Sequence, residues 1–152
     1  MIRNLGKLFL TLCLLAVGGG VVANAQISSI PGIQANVPFA FQVGDTTLPA
    51  GKYEIKAVDD NEPKVLEISS IDGHTHIVFE TEDAQKREDQ VAKKTELVFN
   101  KFGDQYFLSQ VWVVGTPTGS ELAKSKMEKR LEEGGSQSEK HSVVASLKQS
   151  KR

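Results

Sequence analysis

The chain is 152 residues long, 39% apolar and 24% charged, with one Cys, one Trp and a formal net charge of −1. That length and mix suit one ordinary domain and exclude a collagen, a coiled coil and a polytopic membrane protein. The near-zero charge supplies no global pull toward nucleic acid, and no nucleic-acid partner is expected.

Residues 1–25 read as a secretory signal peptide. Arg3 and Lys7 are basic, Leu8 to Val17 is apolar, Gly18, Gly19 and Gly20 break the run, and Ala23-Asn24-Ala25 is a small-x-small cleavage signal. Cleavage is expected after Ala25. The apolar run falls short of the roughly 20 residues of a transmembrane helix, so no stable membrane span is expected in the mature chain. The one cysteine, Cys13, lies inside this segment, and Leu12 before it departs from a lipoprotein site. The mature chain is therefore expected to carry no disulfide, no thiolate nucleophile and no Cys-ligated zinc. The address implies the periplasm or the cell exterior.

Short strands separated by turns follow. Val37, Phe39, Phe41 and Val43 alternate with Pro38, Ala40 and Gln42, a two-residue period in which Pro38 marks a late start or an edge. After the Leu48-Pro49-Ala50-Gly51 turn, residues 52–58 read as the next strand. Asp59-Asp60-Asn61-Glu62-Pro63 is a polar turn, which calcium could find attractive were its spacing not foreign to an EF-hand. Residues 64–71 and 74–82 flank Asp72-Gly73, the strongest short hairpin signal, because a type I′ turn needs positive φ at both central positions. Residues 83–94 are highly charged and read as a long loop or a short exposed helix. Residues 95–102 and 106–114 form a second hairpin.

After Gly115 the period changes. Thr118 and Glu121 fit a capping box, and residues 120–133 are rich in helix formers, with a thin apolar stripe of Leu122, Ala123, Met127 and Leu131. Gly134-Gly135 stops that helix, and residues 134–152 read as a disordered basic tail. Charge is uneven. Residues 26–133 hold 12 basic against 18 acidic side chains, net −6, and the tail holds 4 against 1, net +3. The expected domain is thus residues 26–133: all-β, mainly antiparallel, a six-stranded sandwich or small barrel with a C-terminal helix.

Few constellations carry chemistry. His74 and His76 flank Thr75, so on a strand they share a face, with Glu80 and Glu82 further along it. Imidazoles so spaced suit zinc or copper, although two histidines beside a hairpin turn are more often exposed polar residues. No cofactor is otherwise expected. No nucleophile elbow, Walker loop or dinucleotide fingerprint occurs, and no catalytic residue is assigned. The aromatics Phe39, Phe41, Tyr53, Phe99 and Phe107 read as core. Tyr106 and Trp112, each with a polar tip, are the two expected to face a ligand such as a polysaccharide.

Val37-Pro38-Phe39-Ala40-Phe41 with Leu48-Pro49-Ala50-Gly51-Lys52-Tyr53 resembles the opening of a group of small, uncharacterised, exported β-rich bacterial proteins. Leu97-Val98-Phe99-Asn100 followed by Tyr106-Phe107-Leu108-Ser109-Gln110-Val111-Trp112 is similar to that group's closing hairpin, and Glu121-Leu122 with Lys124-Ser125 to the start of its final helix. The resemblance covers most of residues 36–131. It implies export and a β-rich fold, and it transfers no catalytic residue. Three functions remain in view: a non-enzymatic binding or structural module meeting a cell-envelope protein or polysaccharide, a metal-binding protein or metal-dependent hydrolase using His74 and His76, and an envelope assembly subunit that pairs through a sheet edge.

Overall fold

The computed structural model describes residues 31–84 and 91–148. The expected signal peptide with Cys13, the middle of the charged stretch 83–94 and the last four residues of the tail lie outside the described residues. In chain order the elements are β1 (Ile33–Val37), β2 (Phe41–Val43), β3 (Thr46–Leu48), β4 (Gly51–Ala57), β5 (Val65–Ser70), β6 (His76–Asp83), β7 (Glu96–Phe102), β8 (Gln105–Trp112), β9 (Ser120–Leu122), α1 (Lys126–Glu133) and β10 (Glu139–Leu147).

The sheet runs β8-β7-β10-β1-β4-β5-β6-β9, and β9 pairs back onto β8, closing eight strands into a barrel. β2 and β3 branch from the same side of β8 as a small hairpin, and the single β2–β8 bridge is the one parallel pairing among the described residues. Alternation explains the core. Ile33, Ala35 and Val37 of β1, Tyr53 and Ile55 of β4, Leu66 and Ile68 of β5, and Leu97 and Phe99 of β7 all point inward and are buried. Each large side chain so buried contributes about 1.5–3 kcal/mol.

The first expected strand is in fact two. β1 pairs with β10 in a register of Ala35↔Ala145. Continuing that register sets Pro38 opposite Ser142, and proline has no N–H to donate. The chain leaves the ladder there and crosses the barrel end to β2. Phe39 and Phe41 fill that end: Phe41 meets Tyr53 and Phe99 edge-on at 5.2 and 5.4 Å, and Phe39 meets Phe99 at 5.2 Å.

Two expectations are corrected downstream. Residues 120–122 are strand β9, held between β6 and β8, so Leu122 belongs to the core and not to a helical stripe. Backbone pairing on both sides outweighs the helix propensity of these residues. The helix starts at Lys126, and its capping box is Ser125 with Glu128 instead of Thr118 with Glu121. Glu128 is buried, and its second oxygen accepts from Asn100 Nδ2 at 2.9 Å, which fixes the helix against β7. The second correction is larger. Residues 139–147 are no disordered tail: they form β10, pairing with β7 through Glu139–Val144 and with β1 through Ala145–Leu147. The polar composition that suggested disorder belongs to a strand whose outer face is wet.

Trp112 lies on the outer side of β8 and is nonetheless only 1% exposed, because the chain segments on either side of it fold over it. Ala84, Ala92 and Val98 surround the indole. Ala84 N donates to Gly119 O at 2.9 Å, and Ala92 N to Thr116 O at 2.9 Å. Gly119 lies flat on the ring: a Cβ there would sit 2.8 Å from Trp112 Cδ2. Gly119→Ala is therefore expected to destabilise the protein by about 1–3 kcal/mol, read as a lower denaturant midpoint with unchanged slope. An unchanged midpoint would show that the indole is not packed this way.

Candidate functional site

A cleft whose polar side chains form a connected hydrogen-bond set lies on the barrel rim that carries the hairpin turns. It has a volume of about 410 Å³ between the β3–β4 turn and the β5–β6 hairpin, and its lining includes Pro49, Tyr53, Ser70, Asp72, His74 and Thr75. The hairpin is built as the sequence predicts, with Gly73 at φ 78° in the Asp-Gly turn. Asp72 organises it. Its Oδ1 accepts from Ser70 Oγ at 2.5 Å and from His74 N at 3.1 Å, while Oδ2 lies 3.2 Å from His74 Nδ1. Ser70 Oγ in turn accepts from Thr75 N at 2.9 Å.

These bonds set the electrostatics. The Ser70 hydroxyl, followed by the His74 backbone N–H, holds the Asp72 carboxyl down at about 2, below the ordinary aspartate value of 3.8. Tyr53 is pushed the other way, first by burial and then by the Asp72 charge, and its hydroxyl donates to Pro49 O at 2.7 Å.

Ser70, Asp72 and His74 are the three residue types of a hydrolytic triad, but their order is wrong for one. A nucleophilic serine needs the imidazole against its hydroxyl, with the carboxylate behind the imidazole. Here the carboxylate sits between the two, takes the Ser70 proton bond itself and leaves the imidazole no contact with Oγ. The arrangement stabilises a turn and does not raise a nucleophile.

His74 and His76, expected to share a strand face, fall in different surroundings. His74 precedes β6 and lies in the turn, held by Asp72. His76 opens β6, and its Nε2 lies 2.9 Å from Glu67 Oε2 on β5. Glu67 also meets Lys56 Nζ at 3.0 Å, so Lys56, Glu67 and His76 form a ladder across β4, β5 and β6. The His76 hydrogen bond, then that of Lys56, lowers the Glu67 carboxyl below its ordinary range. Among the described residues no group of three His, Cys, Asp or Glu side chains is arranged to hold a metal ion. The Asp59 turn serves itself, with Oδ1 accepting from Asn61 N and Nδ2, both at 2.8 Å.

The two expected aromatic contacts separate. Trp112, read as an aromatic with a face to offer, is enclosed, and its indole N–H donates to Gln110 Oε1 at 3.0 Å. Tyr106 is half-buried at the barrel end. Phe39 stacks on one of its faces, with ring centres 3.8 Å apart, His141 of β10 meets its edge at 5.5 Å, and Lys101 Nζ lies 5.7 Å from the ring centre. The residues that sequence reasoning missed are Ser70, Asp72 and Glu67. Ser-x-Asp-Gly-His around the turn was a visible signal for the first two, since Asp side chains bind their own backbone two residues on.

No family model, no curated protein and no solved structure matches this chain.

Because the folded Asp72 carboxyl is depressed, its ionised form favours the folded hairpin, and that contribution is lost as pH falls through about 2. A carboxyl ¹³C titration should place Asp72 near that value in the folded protein, and Ser70→Ala should move it upward. A midpoint at the ordinary aspartate value would contradict the bonding described.

Proposed function

We propose that the protein is an exported, non-enzymatic binding or structural module of the periplasm or cell exterior. The N-terminal address supports export. The observation that carries the rest is how the chemistry-bearing side chains of the rim and sheet are used. Asp72 is committed to Ser70 and His74, Glu67 to Lys56 and His76, and Glu54 to Lys148 at 2.9 Å. They hold turns and ladders. The barrel interior is filled by Ile33, Val37, Phe41, Ile55, Ile68 and Phe99, so recognition falls to the rim cleft and to strand edges.

Mature protein, residues 26–152, is expected to turn over chromogenic ester, glycoside and peptide substrates no faster than its Ser70→Ala/Asp72→Ala/His74→Ala variant. Turnover that this variant lost would replace the reading with an enzymatic one. Thermal melting with zinc and copper separates the metal alternative: a rise in Tm that His74→Ala and His76→Ala abolish would favour a metal protein, by mass action on the native state.

A further inference from the structure

β6 is hydrogen-bonded on one side only over its first half. Ser70 N donates to Thr75 O, and Thr81 N donates to Lys64 O, so the odd-numbered residues of this stretch turn their main chain toward β5. By the alternation of an antiparallel ladder, His76 and Val78 turn their N–H and C=O groups the other way. β9 covers that side at Thr81–Asp83 alone, and among the described residues no other strand pairs there. This is an open edge in the barrel wall, the kind of template that pairs with another chain.

Its side chains say which chain. Residues 74–82 read His-Thr-His-Ile-Val-Phe-Glu-Thr-Glu. About Val78 the uncovered stretch, residues 76–80, is its own complement: His76 before, Glu80 after, and the large apolar Ile77 and Phe79 at matching steps. His76, Val78, Glu80 and Glu82 are exposed, Val78 to 50%. A second copy laid antiparallel along the stretch that β9 leaves uncovered sets His76 of each strand beside Glu80 of the other and Val78 beside Val78. Imidazole N–H groups then face carboxylates, and opposite polar pairs across a sheet stabilise it. Beyond Glu80 the edge is taken by β9, where Glu82 lies opposite Glu121, so the pairing with a second copy ends at Glu80. Such a contact uses the same patch on both copies and closes as a two-fold dimer.

We infer that the open edge of β6 is a homotypic interface, through which two copies pair antiparallel near Val78 and continue the β4-β5-β6 sheet across the dimer. This rests on the reading of the protein as an interaction module and names its partner as a second copy.

Sedimentation of the full chain from micromolar to millimolar concentration tests it. The wild type is expected to rise toward twice the monomer mass. Val78→Pro should stay monomeric, since it removes an N–H that faces the open side and leaves the β5 ladder intact. Two charge variants guard against a folding defect. His76→Glu and Glu80→Lys should each stay monomeric alone and associate when mixed. A wild type that is monomeric throughout, a Val78→Pro protein that dimerises like wild type, or charge variants that ignore each other would each overturn the inference. Substrate turnover sinks the functional reading alone, so the two fail separately.

Discussion

The barrel depends on β10. β10 is the strand that joins β7 to β1, through six paired residues on one side and three on the other, and these two neighbours have no direct pairing. Leu97 and Phe99 on β7 and Ile33 and Ala35 on β1 are buried on the two sides of the join. Without β10, both strands would present unpaired backbone to water beside an opened core. The strand itself contributes little apolar surface, since Val143 and Ala145 are the inward side chains that reach the core and both are only partly buried. Its role is carried by the backbone ladder and by closure.

Closure propagates to the rim. β1 leaves the ladder at Pro38, and the crossing segment drops Phe39 and Phe41 into the barrel end against Phe99, Tyr53 and Tyr106. That packing backs Tyr53, whose hydroxyl ties down Pro49, and the turn so held is one wall of the rim cleft. The other wall is the β5–β6 hairpin, fixed by Asp72. From the same hairpin runs β6, whose outer face is tied at His76 to Glu67 and whose far end is tied to β9. The cleft and the open strand edge are thus two consequences of one hairpin.

Legibility in the sequence follows from range. Residues 52–58 and 64–71 were readable as strands because one wet and one buried face imprint a two-residue period, whereas 95–102 and 106–114, buried on both faces, were readable from their apolar and aromatic runs either side of the Gly103 turn. The Asp72-Gly73 turn was readable because its chemistry is local. β10 was not, because in Glu-Lys-His-Ser-Val-Val-Ala-Ser-Leu the inward apolar set is short, Val143, Ala145 and Leu147 among polar neighbours, and the strand is ordered by partners some forty and more than one hundred residues away in sequence. The short strand β9 was hidden in a run of helix formers for the same reason. Trp112 misled because its polar tip suggested a ring facing a ligand, whereas chain segments folding over the outside of β8 enclose it and its N–H is taken by Gln110. At the site, the placement of His74 beside the turn was legible. Its commitment to Asp72 and that of His76 to Glu67 needed the cross-strand register, which no local pattern contains.

The most direct test of this account is amide hydrogen exchange along residues 139–148 of the full chain. Ala145 N is bonded to Thr95 O at 2.9 Å and Lys148 N to Gly32 O at 2.7 Å. Their exchange should be slowed into the range of amides in β4 and β5, because β10 opens only when the barrel opens. Exchange at the rate of an unstructured peptide would return this segment to a free tail and remove the strand on which the rest of the fold is argued to depend.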